Sequence, residues 1–108
     1  MEQTNNQELV GCITKCFELS MDGNLSPEER KIMLAQGKRL RGNLLNLLSV
    51  AFNNAAAVDE ANGQITEINT ALAATIADIS HLADTVEKIN GLVDKLDKIL
   101  LFAIAIGL

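Results

Sequence analysis

The sequence predicts an all-α fold, and three observations lead to this prediction. Apolar residues recur at heptad spacing from Met33 to Ala103, the apolar fraction is 48%, and aromatic residues make up only 3%. Sustained heptad spacing is typical of helices that pack along their length, and aliphatic and small side chains suit helix-on-helix contacts. A chain of 108 residues is long enough for one domain with its own core. We therefore expect a single helical domain over residues 1–108.

A short first helix is expected over about residues 5–20, followed by a turn at residues 21–25. Leu9, Cys12 and Cys16 repeat at helical spacing, and an Asp-Gly-Asn sequence then favours a chain reversal. The two thiols are too few for a disulfide framework or a zinc site. We therefore interpret both cysteines as small core residues.

Two long helices, over about residues 26–61 and 64–106, are expected to fold back on each other as an antiparallel hairpin. The sequence SPEE at residues 26–29 supplies an N-cap serine, a first-turn proline and the glutamate of a capping box. Asn-Gly at residues 62–63 is a plausible helix end and turn. The predicted fold is thus a short helix packed on a long hairpin with heptad contacts, within an oligomeric helical bundle.

One continuous long helix in a coiled-coil oligomer is the alternative, because the heptad phase continues across Gly63. Such a helix would be about 120 Å long at 1.5 Å per residue. Charge placement favours the hairpin instead. Folding near residue 60 sets the basic residues of segment 30–41 beside the acidic residues of segment 78–89.

Self-association is expected because the second predicted helix is apolar on more faces than one hairpin seam can cover. The sequence LLNLLSVAF distributes apolar side chains around much of the helix, and such a helix must contact several partners. The residues expected to carry packing within or between copies are Leu44, Leu47, Leu72, Ile79, Val86, Ile89 and Leu96.

The last ten residues, ILLFAIAIGL, form an apolar tail over residues 99–108 that has no charged side chain. As a helix this tail is about 15 Å long, half of the roughly 30 Å hydrocarbon core of a bilayer, so it cannot span a membrane alone. Three roles remain open: the buried end of a bundle, an oligomer or pore-lining interface, and a membrane-inserting tip. The residues concerned are Leu100, Leu101, Phe102, Ile104 and Ile106.

The stretch ELSMDGNLSPEE, residues 18–29, resembles the twelve-residue calcium loop of the EF-hand family. The resemblance implies a calcium ion held by side chains at the family's ligand positions. Its first position is Glu where the family has Asp, and EF-hand loops normally pair, whereas this chain has one. A turn followed by a capping box accounts for the same residues without a metal, so we expect no bound cofactor. The candidate ligands, if calcium binds, are Glu18, Ser20, Asp22 and Glu29.

Catalysis and nucleic-acid binding are not expected. The chain has one histidine, His81, and no phosphate-binding glycine loop or metalloprotease motif. Its net charge is −5, and the basic cluster within residues 30–41 lacks interleaved aromatic side chains for stacking on bases. These features leave structural and interaction roles as the main classes.

The function expected from the sequence is therefore a non-enzymatic helical module for self-assembly or protein interaction, working as a homo-oligomer. Another helical protein is a further expected partner. The acidic N-terminal sequence lacks the features of a signal peptide, so we expect a cytoplasmic protein, with membrane association through the C-terminus as an option. Two alternatives stand beside this function: a small membrane-active or pore-forming component that inserts its apolar C-terminus, and a calcium-responsive adaptor.

Overall fold

The computed structural model describes residues 2–105, and within this range four α-helices account for most of the chain. A single turn of 3-10 helix, Ile79–His81, precedes the last helix. The helices are α1 (Asn6–Ser20), α2 (Pro27–Leu47), α3 (Ala55–Ala77) and α4 (Leu82–Leu100). Two short strands, β1 (Val50–Ala51) and β2 (Ile104–Ala105), pair antiparallel at one end of the bundle. The all-α prediction is confirmed.

The helices form two hairpins that stack side by side. The first hairpin is α1 with α2, the second is α3 with α4, and between them α1 packs on α3 while α2 packs on α4. Residue numbers rise together across both contacts between hairpins, so α1 runs parallel to α3 and α2 runs parallel to α4. The hydrogen bonds that show this are Glu8 to Thr66, Lys15 to Asn69, Gln36 to Asn90, and Asn43 to Asp97.

One apolar core runs through both hairpins. The largest fully buried side chains come from all four helices: Leu9, Leu19, Met33, Leu40, Leu47, Val58, Ile65, Leu72, Ile89, Leu92, Val93 and Leu96. Two buried threonines, Thr75 and Thr85, join their hydroxyl groups in a hydrogen bond of 2.7 Å, so neither leaves an unpaired polar atom in the core.

The start of α2 follows the prediction. The Ser26 hydroxyl accepts a hydrogen bond from the Glu29 N–H at 3.1 Å, and Glu29 Oε1 accepts one from the Ser26 N–H at 2.9 Å. This reciprocal pair is the predicted capping box. The first helix also matches its expected limits within a residue or two.

The end of α2 differs from the prediction. This helix stops at Leu47 instead of continuing to about residue 61, and the chain passes through β1 before α3 begins. The side chain of Asn54 accepts a hydrogen bond from the Ala57 N–H at 3.1 Å, which starts the new helix. The predicted break at residues 62–63 instead lies within α3, where packing on α1 and α4 outweighs the cost of about 1 kcal/mol for a helical glycine.

The long helix predicted over residues 64–106 is also interrupted. After Ala77, Asp78 Oδ1 accepts a hydrogen bond from the Ser80 N–H at 3.0 Å, and such local bonding competes with helical hydrogen bonds. Helix α4 ends at Leu100, and the following chain pairs with β1 in place of a further helical turn. The alternative of one continuous helix is wrong, because the bundle measures 42 × 23 × 19 Å.

Candidate functional site

The residues expected to carry packing lie mostly in the core of the single chain. Leu47, Leu72, Ile89 and Leu96 are fully buried. Leu44 and Val86 are half-buried against the same core, whereas Ile79 is exposed in the 3-10 turn between the second pair of helices. The buried side chains are therefore used within the bundle, and any partner must bind other residues.

The four calcium candidates lie at or near the corner between α1 and α2. Glu18 is exposed, and the other three make local hydrogen bonds. These bonds are Ser20 Oγ to the Phe17 carbonyl (2.6 Å), the Asn24 N–H to Asp22 Oδ1 (2.8 Å), and the Ser26 N–H to Glu29 Oε1 (2.9 Å). Within residues 2–105, no three His, Cys, Asp or Glu side chains lie close enough together to hold a metal ion. Local backbone hydrogen bonding accounts for the positions of Asp22 and Glu29.

Both cysteines are buried in α1, where they pack in the core. Burial raises the pKa of the Cys12 thiol to about 11 and that of the Cys16 thiol to about 12. The Cys12 thiol also donates to the Ile65 carbonyl at 3.5 Å. Because the thiolate is the reactive form of cysteine, these neutral thiols are poor nucleophiles and metal ligands at neutral pH.

The predicted apolar tail is divided between helix, turn and strand. Leu100 is half-buried at the end of α4, while Leu101 and Phe102 are 79% and 78% exposed. Ile104 belongs to β2, and Ile106 lies outside the described residues. Beside this turn is a cleft of about 390 Å³, lined by Phe52, Asn53, Asn54, Ala57, Ile99 and Phe102. None of the described helices is long and apolar enough to cross a membrane.

A larger group of exposed apolar side chains lies on the first hairpin. By helical spacing, exposed Val10 and Met21 form one stripe along α1 and its C-cap, with the half-buried Phe17 between them. A second stripe runs along α2 and mixes apolar residues with two arginines: Arg30, Leu34, Arg41, Leu45 and Leu48. We name the surface formed by these two stripes the outer face of the first hairpin.

Two close contacts hold the stripes together. The Phe17 ring lies so near Gly37 that a Cβ atom on that glycine would be 2.7 Å from Phe17 Cε1. The Arg41 guanidinium covers the same ring, with Cζ 5.8 Å from its centroid. The lack of a side chain at Gly37 therefore lets α1 and α2 approach closely enough to form one continuous surface.

The outer face points away from the second hairpin. On α1, Lys15 Nζ donates to Asn69 Oδ1 of α3 at 2.8 Å, and by helical spacing Lys15 lies roughly opposite Val10 and Phe17. On α2, the side chains of Gln36 and Asn43 reach α4. Neither stripe therefore lies against the second hairpin.

The same hairpin also carries a set of cations without acidic partners. Helix α2 contains Arg30, Lys31, Lys38, Arg39 and Arg41, and none of them forms an ion pair within residues 2–105. The Nε atom of Arg30 is buried and has no hydrogen-bond partner in that range. This arginine lines a shallow groove with Ser20, Pro27, Lys31 and Leu34. By helical spacing, Arg30 and Arg41 lie within the stripe of α2 and Lys31 and Lys38 lie along its edge, so the outer face combines exposed apolar side chains with cations of α2.

The second hairpin has a different surface. Among residues 55–100, all of which the structure describes, Ile79 is the one large hydrophobic residue with an exposed side chain. Ion pairs join α3 to α4 through Glu67 with Lys88, at 3.4 Å, and through Glu60 with Lys95. Lys88 and Lys95 therefore already have acidic partners within the protein.

Part of this surface was foreseeable from the sequence. The excess apolar residues of the segment LLNLLSVAF include Leu45 and Leu48, which are both exposed. Val10, Met21 and Leu34 carried no such signal from the sequence alone. Their grouping depends on how α1 packs against α2.

No protein-family model matches the chain, and comparisons with curated proteins and with solved structures gave no significant match.

Proposed function

We propose that the protein is a non-enzymatic interaction module that binds an amphipathic helix along the outer face of its first hairpin. The observation that supports this most strongly is the concentration of exposed apolar residues there, opposite a second hairpin whose surface is polar. Contiguous exposed apolar surface rimmed by polar groups is typical of interaction sites. A surface formed by two helices suits a third helix that presents apolar residues at positions i, i+3, i+4 and i+7.

The function is tested with a synthetic helical peptide that carries one leucine stripe and glutamine at every other position. Full-length protein is titrated with this peptide, and heteronuclear NMR locates the perturbed amides. We expect perturbation along α1 and α2. The double substitution Leu34→Gln and Leu45→Gln should weaken binding by about tenfold or more, which corresponds to about 1.4 kcal/mol.

Ile79 provides the matched control, because its side chain is 37% exposed and that of Leu34 is 39% exposed. The substitution Ile79→Gln removes from the second hairpin an apolar surface similar to that of Leu34 and should leave peptide affinity unchanged. Equal losses in the two variants, or no binding by the unmodified protein, would contradict the proposed function.

Membrane contact through the strand-bearing end of the bundle is a second candidate function. It is favoured by one observation, the exposure of Leu101 and Phe102 beside the apolar cleft. Liposome flotation of the full-length protein and of the double variant Leu101→Ser and Phe102→Ser tests it. Flotation that disappears in the variant supports this function, and equal partitioning of the two proteins excludes it. No observation favours the calcium-responsive adaptor, since Asp22 and Glu29 already accept local backbone hydrogen bonds.

A further inference from the structure

The chemistry of the partner can be specified further, on the condition that the proposed function is correct. We infer that the helix bound by the outer face is acidic, belongs to a different protein, and carries carboxylates next to its apolar stripe. Three features support this inference: the unpaired cations of α2, the positions of Arg30 and Arg41, and the poor match that a second copy offers.

The cations of α2 differ from those of α4 in their partners. Helix α2 has five Lys or Arg residues, and its acidic residues, Glu28 and Glu29, both lie in its first turn. On α4, Lys88 and Lys95 each form an ion pair with a glutamate of α3. The chain as a whole is acidic, with a net charge of −5, yet the fold directs none of its described carboxylates to the α2 cations. A positively charged surface of this kind attracts an acidic partner and excludes a basic one.

Arg30 and Arg41 lie within the stripe of α2 and can bind carboxylates that flank the apolar residues of a partner helix. They are eleven residues apart along α2, about 16 Å at 1.5 Å per residue, with Leu34 between them. Stacking of Arg41 on Phe17 restricts its side chain, and Arg30 has a buried Nε atom without a partner in the described chain. Guanidinium groups held in this way bind carboxylates through paired, charge-assisted hydrogen bonds. A helix bound along the outer face would contact these two arginines through acidic residues about three helical turns apart.

A second copy of the chain is a poor occupant of this face. Two first hairpins facing each other would bring the cations of their outer faces together, Arg30 and Arg41 among them, which is unfavourable. The second hairpin is acidic, with eight Asp or Glu and three Lys over residues 53–108. However, among its described residues 55–100 the one exposed large hydrophobic residue is Ile79. That range therefore offers no apolar stripe to the outer face.

Three peptides test the inference. They share one leucine stripe, and their flanking positions are all Glu, all Gln or all Lys. At low ionic strength we expect the Glu peptide to bind about tenfold more tightly than the Gln peptide, and the Lys peptide to bind most weakly to α1 and α2. Added salt should reduce these differences.

Variants assign the preference to particular side chains. The double substitution Arg30→Gln and Arg41→Gln should remove most of the advantage of the Glu peptide while the Gln peptide retains its affinity. If loss of the contact between Arg41 and Phe17 unfolds the arginine variant, a second variant, Lys31→Gln with Lys38→Gln, takes its place. It should likewise reduce the advantage of the Glu peptide. Lys98→Gln changes an exposed cation of α4 and should have no effect.

The outcomes separate this inference from the proposed function. If the Gln and Glu peptides bind equally and Leu34→Gln with Leu45→Gln weakens both, the acidic partner is wrong and the interaction module stands. If no peptide binds along α1 and α2, both fail. Flotation with phosphatidylserine vesicles, absent with phosphatidylcholine and lost in the arginine variant, would replace the acidic helix with an anionic lipid surface. Dimers seen by light scattering and disrupted by Leu45→Gln would overturn the inference in favour of a second copy.

Discussion

The two hairpins contribute to one core but present opposite surfaces. The first exposes apolar stripes and cations that form no ion pair within residues 2–105. The second joins lysines to glutamates and, over residues 55–100, exposes Ile79 alone among its large apolar residues. In stacked helical hairpins, a terminal unit with a polar outer face needs no further neighbour. The second hairpin therefore closes its end of the stack, whereas the first leaves large apolar side chains exposed at its end.

The largest expected effect comes from the shared core. Leu40 of the first hairpin and Leu96 of the second are both fully buried. Substituting either with alanine should lower the free energy of unfolding by about 2–5 kcal/mol, because each change leaves a cavity in the same core. Urea denaturation followed by circular dichroism should show a single transition in both variants. Two separate transitions would mean that the hairpins fold independently.

Two glycines should respond in opposite directions. Gly37 lies against Phe17, so Gly37→Ala should destabilise the protein by about 1–3 kcal/mol through overpacking between α1 and α2. Gly63 lies within α3, and a Cβ atom on it would meet no other atom within 4 Å, so Gly63→Ala should stabilise by about 0.5–1 kcal/mol. Thermal unfolding measures both changes. A gain in stability for Gly37→Ala would show that α1 and α2 can separate without cost.

The helix caps should contribute similarly in the two hairpins. Ser26→Ala in the first and Asn54→Ala in the second should each cost about 0.5–2 kcal/mol, since each removes an acceptor for an N–H at a helix start. Combining Ser26→Ala with Glu29→Ala should cost less than the sum of the single changes, because the two side chains form one capping box. Chemical denaturation with and without added calcium provides the measurement. Stabilisation by calcium that Glu29→Ala abolishes would instead identify Glu29 as a metal ligand.

The smallest expected effects concern surface lysines. Lys95→Ala removes an ion pair with Glu60 and should cost about 0–1 kcal/mol, with the loss decreasing at high salt. Lys38→Ala in the first hairpin removes a cation that has no acidic partner in the described chain and should leave stability unchanged. A larger loss for Lys38→Ala than for Lys95→Ala would contradict the contrast between the two surfaces.

Local sequence determined the helical class, the first helix and the start of α2. Each depends on interactions between residues close in sequence: apolar spacing in α1, and the Ser26–Glu29 capping box in α2. The heptad phase across Gly63 was also meaningful, because α3 continues through that glycine. The prediction of a turn there was wrong because local propensity was weighed above the phase.

Tertiary structure alone decided where the later helices end and which surface remains exposed. Helix α2 stops where β1 can pair with β2, a contact between residues more than fifty positions apart. The stacking of one hairpin on the other buries Leu47 and Leu96 but leaves Leu34 and Leu45 exposed, although all four are leucines in helical segments. Sequence spacing shows that a helix has an apolar face, but only packing determines which apolar residues obtain a partner within the chain.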